Sequence, residues 1–232
     1  MIDLEKLKAE NLVRWDAAKP IRDFTAVARR LVAPDAKLRY HAVELVTGVP
    51  WWFIAVVHQR ESSQDWRASL AQGDPWNEVS VHVPAGRGPF TSWEEAAHDA
   101  LVNCAPHAAK NRDWSPGVVL TLLESYNGLG YASRGLPSPY VWAWTDQYHS
   151  GKFIRDGVFD PNVVDGQFGC AGIIKAMMSL DSTVVFAGVA VQQPAPAPPI
   201  AKPVTASITS PSKGSIGDFI AGILAAIFKR KT

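Results

Sequence analysis

The stretch GVPWWFIAVVHQRESSQD, residues 48–65, decides the fold that we predict for this chain. Pro50 suits the first position of a helix, because its ring fixes φ and its missing N–H is not needed there. The residues that follow are apolar on nearly all sides of that helix, which is typical of a central, buried element. The run then meets polar residues, among them His58 and Glu61. We therefore predict a core helix from Pro50 through Glu61 that ends in a carboxylate.

Glu61 has two interpretations that the residues alone leave open. It shares a helix face with His58, three residues earlier. A carboxyl group that loses part of its solvent has a raised pKa and can hold a proton near neutral pH, which suits a general acid. The same position also fits the first solvated residue after a core helix, paired with Arg60 or Arg67.

Helices are predicted on both sides of this stretch, from apolar residues that recur at helical spacing. They cover residues 4–15, 21–31, 34–46, 92–105, 117–127 and 169–181. The helix at 92–105 begins with Ser92 and has Glu95 three residues later, which is a capping-box pattern. VSVHV, residues 79–83, alternates strictly and predicts a short strand, one half of a hairpin. The sum is a mainly helical domain with one small sheet.

Length and charge exclude several classes of protein. The chain has 232 residues and a formal net charge of +1, so it has room for one good-sized domain and shows neither a nucleic-acid-binding surface nor an acidic tail. Cys104 and Cys170 could pair, but small packing roles suit a two-cysteine chain better. Residues 1–20 are charged throughout and lack the apolar core of a secretory signal. We expect synthesis in the cytoplasm without a signal peptide.

A series of segments carries a resemblance. In order they are GVPWWFIAVVHQRES, QGDPWNEVSVHVPAGRG, PFTSWEEAAHDAL, LESYNGLGY, SPYVWAW and YHSGKFIRDGVFDP. Between about residues 37 and 180 this series resembles a lysozyme-like family of phages and bacterial genomes. The resemblance implies an α+β lysozyme-like catalytic domain over residues 37–190, with a small β-hairpin beside the cleft. Residues 1–36 would then be N-terminal amphipathic helices that pack on this domain.

The resemblance also implies a peptidoglycan hydrolase and its catalytic residues. In the wider superfamily the catalytic Glu ends a buried helix, an Asp follows in a hairpin, and a Thr or Ser comes six residues later. Glu61, Asp74 and Ser80 match these three positions. Glu61 would protonate the leaving oxygen of the β-1,4 bond between N-acetylmuramic acid and N-acetylglucosamine. Asp74, helped by Ser80, would activate a water from across the cleft, with the carboxyl groups of Asp74 and Glu61 roughly 6.5 to 9.5 Å apart.

The substrate-binding predictions allow a second reaction. SYNG, residues 125–128, resembles lytic transglycosylases, which close a 1,6-anhydro ring; there Tyr126 would hydrogen-bond near the acid and Asn127 would bind sugar. A Gly-closed helix end with a buried Tyr fits SYNG as well. In SPYVWAW, alternation puts Tyr140, Trp142 and Trp144 on one face of an extended segment, suited to stack on sugars or to fill the core. His58 and His82 complete the predicted substrate-binding residues.

Other chemistries find weaker support. His98, Cys104 and His107, or His58 with His82, do not repeat a known zinc-ligand spacing, so no metal or cofactor is predicted. Cys104 with His107 could suggest a cysteine amidase, but Cys104 comes late in its helix, whereas such nucleophiles usually start one. A glycan-binding or virion structural module with the same fold and no activity is the non-enzymatic alternative.

The C-terminal part differs in composition. Residues 191–214 are rich in Pro, Ala and Ser and predict a linker. Residues 215–232 predict an amphipathic helix whose apolar stripe, Ile216–Phe228, is too short to span a bilayer comfortably and suits the membrane interface. It would contact a membrane or outer-membrane lipid, or else dock on the catalytic domain or self-associate. We expect a phage or prophage endolysin, or a virion-associated hydrolase, that acts on the cell wall in the periplasm.

Overall fold

The computed structural model describes residues 2–71 and 73–188. These residues form eight α-helices and one antiparallel hairpin. The helices are α1 Leu4–Ala17, α2 Thr25–Leu31, α3 Pro34–Thr47, α4 Trp51–Ser62, α5 Trp93–Asn103, α6 Pro116–Tyr126, α7 Pro139–Trp142 and α8 Cys170–Leu180, and the strands are β1 Lys152–Arg155 and β2 Val158–Asp160. The prediction of a mainly helical domain with one small sheet is confirmed.

Helix α4 is the centre of the core, as its apolar sequence predicts. Every residue from Trp51 to His58 is buried, and α2, α3 and α8 pack around the helix. Each large apolar side chain removed from water contributes roughly 1.5–3 kcal/mol, so this helix stabilises the fold strongly. The helix begins one residue after Pro50, which is its N-cap, and its C-cap, Ser63, is in the left-handed conformation (φ 56°).

The other predicted helices are present, with two adjustments near the N-terminus. In α1 the buried residues are Leu7 and Asn11, while the apolar residues Leu4 and Leu12 are exposed, so part of the apolar spacing that predicts this helix does not face the core. Helix α2 starts at Thr25 rather than near residue 21, because the Asp23 carboxylate accepts the Thr25 N–H at 2.8 Å and fixes a turn there. Helix α5 begins as predicted, with the Ser92 hydroxyl accepting the Glu95 N–H at 3.1 Å.

The strand predicted at residues 79–83 is wrong. The N–H groups of Val81 and His82 both donate to the carboxylate of Asp74, each at 2.9 Å, and are not available to a neighbouring strand. The hairpin forms instead from β1 and β2, around a turn in which Gly157 has φ +72°. The rings of Phe153 and Phe159 pack 5.3 Å apart across this hairpin.

The extended segment predicted for SPYVWAW is also wrong, because residues 139–142 form the short helix α7. Trp142 is fully buried, and its indole N–H donates to the Asn11 side-chain oxygen at 3.3 Å. Trp144 is partly buried, with the Arg22 guanidinium 4.0 Å from its ring centre. Trp142 therefore belongs to the core rather than to a sugar-stacking surface.

Cys104 and Cys170 are buried, free thiols. Among the described residues no single helix combines the length and apolar character needed to cross a membrane; α3 and α4 reach that length only as a pair bent by 113°. The predicted linker at 191–214 and the predicted helix at 215–232, with its membrane contact, lie outside the described residues.

Candidate functional site

A cleft of about 480 Å³ lies between the C-terminal end of α4 and the hairpin. Six parts of the described chain line it: the ends of α4 and α6, the loop after α6, the start of α7, the hairpin, and the loop before α8. The lining residues include Arg60, Glu61, Tyr126, Asn127, Tyr140, Lys152, Arg155, Asp156 and Asp165. Glu61 enters this cleft because α4 ends there, one turn after its last fully apolar residues.

Glu61 is held by one close hydrogen bond. The Tyr140 hydroxyl donates to its Oε1 at 2.6 Å. Burial raises the pKa of Glu61, and the Tyr140 hydrogen bond and the charge on Arg60 offset only part of that rise. Burial also raises the pKa of Tyr140 well above its ordinary value, so Tyr140 remains a donor. A carboxyl group with a raised pKa in an open cleft is suited to general acid catalysis.

Beside Glu61 lies a buried ionic cluster that sequence reasoning missed. Asp165 accepts from the Arg60 guanidinium at 3.2 Å and from the Lys152 ammonium at 3.1 Å. Burial alone would raise the pKa of Asp165, but the Gln167 N–H and the charges of Arg60 and Lys152 outweigh it and lower that pKa. The cleft thus contains two carboxyl groups whose pKa values shift in opposite directions, and Asp165 is the one held ionised.

Arg60 links this cluster to the Glu61 hydrogen bond. Its guanidinium lies 4.5 Å from the Tyr140 ring centre, and its Nη1 donates to the Phe168 carbonyl at 3.0 Å. Both the Arg60 and the Asp165 side chains are almost completely buried. The cluster therefore joins the end of α4 to the hairpin, which forms the opposite wall.

Asp74 and Ser80, the predicted water-activating pair, hold a loop together outside the cleft lining. One Asp74 oxygen accepts the two backbone N–H groups described above, and the other lies 2.5 Å from His82 Nδ1. The Ser80 hydroxyl accepts the Arg87 N–H at 2.9 Å and donates to the Pro84 carbonyl at 3.2 Å. The His82 N–H and ring, in that order, lower the pKa of Asp74. The structure does not bring these residues or His82 together with Glu61 in the cleft.

His58 is a core residue, which contradicts its prediction as a substrate contact. It is fully buried, and its Nε2 lies 3.1 Å from the Asp65 carbonyl. Because a carbonyl only accepts, Nε2 carries the proton and Nδ1 accepts the Tyr40 hydroxyl at 3.0 Å. Burial lowers the pKa of His58 to about 4, so the ring is neutral at physiological pH.

Of the predicted site residues, Tyr126, Asn127 and Tyr140 line the cleft together with Glu61. The Tyr126 hydroxyl is buried and has no hydrogen-bond partner among the described residues. Asn127 is the C-cap of α6 and is exposed. An unpartnered buried hydroxyl is uncommon in proteins and is satisfied if a ligand binds there. Tyr140 contributes through its hydroxyl rather than through a stacked ring.

The hairpin could have been found from the sequence. Asp-Gly flanked by apolar residues is a strong hairpin signal, and it occurs in FIRDGVF at residues 153–159. No comparable short-range signal points to Asp165, which meets Arg60 across 105 residues of chain. That ion pair depends on how α8 and the preceding loop pack against α4.

The residues of the alternative zinc and cysteine sites do not come together as a site in the described part of the chain. Within residues 2–71 and 73–188, no three His, Cys, Asp or Glu side chains come together as metal ligands. Burial raises the pKa of Cys104, which lies against Asp99, so its thiol is poorly suited to be a nucleophile. His107 contacts the Val102 carbonyl instead of this thiol.

Comparisons with protein-family models, with curated proteins and with solved structures found no match to this chain. Function is therefore inferred from the chemistry of the cleft.

Proposed function

We propose that this chain is a peptidoglycan-cleaving muramidase in which Glu61 is the general acid. The proposed substrate bond is the β-1,4 bond between N-acetylmuramic acid and N-acetylglucosamine. The observation that carries the proposal is a carboxyl group at the end of a buried helix, in an open cleft, with its pKa raised by burial. Glycoside cleavage needs such a group, because the leaving oxygen must receive a proton as its bond to the sugar breaks.

Neighbouring residues have definite tasks in this proposal. Tyr140 occupies Glu61 Oε1, which leaves Oε2 to carry the proton to the glycosidic oxygen. After that transfer Glu61 is negative, and the Tyr140 hydroxyl and the Arg60 charge stabilise it. The unpartnered Tyr126 hydroxyl would donate to a sugar oxygen. The Asn127 amide, exposed at the cleft edge, offers a donor and an acceptor to an N-acetyl group.

Lytic transglycosylation is the second candidate, and the position of Asp74 favours it. A water-activating base should face Glu61 across the cleft, but the oxygens of Asp74 are engaged by the 81–82 backbone and the His82 ring. Without a second carboxylate to activate water, the C6 hydroxyl of the muramyl residue can attack C1 of the same sugar. The C1–O bond breaks, the leaving oxygen takes the Glu61 proton, and the Glu61 carboxylate takes the proton of the attacking hydroxyl.

Product analysis tests the proposal and separates the two reactions. Purified peptidoglycan is digested with the full chain, and the soluble fragments are reduced with borohydride and weighed by mass spectrometry. A muramidase leaves reduced muramic acid ends, and a transglycosylase leaves anhydro ends that lack one water and resist reduction. Reduced glucosamine ends would contradict both. Binding to peptidoglycan without any soluble product would point to the non-catalytic glycan-binding module.

Asp74→Asn adds a second criterion. If Asp74 is the base of a hydrolase, this variant should lose on the order of a hundredfold in rate. Retained cleavage with anhydro products would instead assign the reaction to transglycosylation.

A further inference from the structure

We propose that the hairpin wall of the cleft is a carboxylate-binding site, in which Arg155 and Lys152 select an acidic glycan over a neutral one. The inference rests on the proposed function and specifies its substrate class. The ligand chemistry is a carboxylate next to an N-acetylated sugar ring. In peptidoglycan that carboxylate comes from the lactyl ether of muramic acid or from the attached peptide, whereas chitin has neither.

The charge of the cleft supports an anionic ligand. Arg155 is exposed, and no acidic side chain of the described residues lies within ion-pair distance of it. Lys152 and Arg60 share a single carboxylate, that of Asp165. Once Glu61 is protonated, the described lining of the cleft carries three cations, Arg60, Lys152 and Arg155, and two carboxylates, Asp156 and Asp165. An excess of positive charge in a cleft attracts anions.

The hairpin that carries Lys152 and Arg155 is anchored to the rest of the domain. Tyr131 accepts the Phe153 N–H at 2.9 Å, and its ring packs 5.0 Å from the Phe153 ring. The register of the two strands shifts between Phe153 and Arg155, which marks a bulge or irregularity. Bulges redirect side chains and are frequent beside binding sites. Arg155 is thus carried on an anchored element at the cleft wall rather than on a free loop.

Arginine is well matched to this task. Its planar guanidinium can give two parallel hydrogen bonds to one carboxylate. Lys152 uses one contact for Asp165 and retains further donors. The site therefore recognises a carboxylate through Arg155, with Lys152 lining the same cleft.

The test measures binding, so that it does not depend on turnover. The full chain carrying Glu61→Gln is titrated calorimetrically with the disaccharide of N-acetylglucosamine and N-acetylmuramic acid, without peptide and with it. Each ligand is also used after its carboxylates have been converted to methylamides. We expect methylamidation to weaken binding roughly tenfold, as loss of a charge-assisted hydrogen bond implies. The peptide-free disaccharide shows whether the lactyl carboxylate suffices.

Variants assign the effect to the hairpin. Adding Arg155→Gln should weaken binding of the acidic ligands roughly tenfold and remove most of the effect of methylamidation, while Arg155→Lys should restore part of it. Lys152→Gln provides a second variant with an effect of the same direction. Arg29→Gln is the matched control, because Arg29 is exposed on α2, outside the cleft lining, and its replacement removes the same charge.

Several outcomes would overturn the inference. They are equal binding of acidic and methylamidated ligands, unchanged selectivity in Arg155→Gln, an equal loss in Arg29→Gln, or no binding of either ligand. If the Glu61→Gln chain binds the acidic ligands selectively but the wild type cleaves no peptidoglycan, the carboxylate site stands and the muramidase proposal is rejected.

Discussion

Replacing Tyr140 with Phe removes the only hydrogen bond that the structure gives to the Glu61 carboxyl group from a side chain of the described residues. The ring stays, and with it the 4.5 Å contact to the Arg60 guanidinium. The lost bond stabilises the ionised form of Glu61 more than the protonated form. Burial already raises the pKa of Glu61 in the wild type. Loss of the Tyr140 hydrogen bond should raise this pKa further.

The size of this shift follows from the geometry. A hydrogen bond to a charged group is worth about 1.5–3 kcal/mol, and one pKa unit corresponds to about 1.4 kcal/mol. The 2.6 Å bond of Tyr140 is short. We expect the pKa of Glu61 to rise by about one to two units. The protonated acid would then persist to higher pH.

The assay is the pH dependence of kcat/KM on soluble glycan fragments, which reports pKa values of the free enzyme. In Tyr140→Phe the alkaline limb should move to higher pH by that amount. Tyr40→Phe is the control, because its buried hydroxyl bonds to His58 outside the cleft lining; its limb should stay in place. Carboxyl ¹³C NMR gives the same pKa without turnover. An unmoved limb, or one moved to lower pH, would refute the role assigned to Tyr140.

Two stability predictions concern buried titratable groups outside the proposed mechanism. Burial raises the pKa of Glu124 from 4.5 to about 7, so the folded state holds a proton that the unfolded state has released, and stability falls as pH rises through this range. The Gln variant lacks this loss, so the free energy of unfolding of Glu124→Gln minus that of the wild type should be about 3 kcal/mol larger at pH 8 than at pH 4. Urea unfolding at both pH values measures this difference. A difference that is the same at both pH values would contradict the prediction. For His58 the pKa falls from 6.5 to about 4 through burial, so the wild type should lose about 3 kcal/mol as pH drops from 6.5 to 4. His58→Gln should show a flatter pH dependence in that window, although lost packing destabilises it throughout, and an equal slope in both proteins would reject the buried neutral ring.

The parts of the fold that could be predicted from the sequence are those with local causes. The apolar run after Pro50 predicts a buried helix, and the position of Glu61 near its end follows directly. The capping box at Ser92 and the Gly-closed end of α6 are local in the same way. These signals need no knowledge of distant partners.

The predictions that failed have a common physical cause: each depended on which distant residue a segment contacts in the folded chain. Alternating valines at 79–83 fit a strand, but a strand needs a neighbour, and Asp74 takes the N–H groups that one would use. Trp142 fits a sugar platform until Asn11, 131 residues away, provides a buried acceptor for its indole. Asp165 was missed because its two cations come from α4 and the hairpin. Long-range pairing of this kind leaves no periodic trace in the sequence.

The most direct test of the central claim is the rate at which soluble muropeptides are released from purified peptidoglycan by the wild type and by Glu61→Gln. This substitution keeps the size and the Tyr140 contact but removes the proton that the leaving oxygen needs. Glu78→Gln, on an exposed loop outside the cleft lining, is the matched control. We predict cleavage by the wild type and the control, and a loss on the order of a hundredfold or more in Glu61→Gln. Equal rates in all three proteins would show that Glu61 is not the acid.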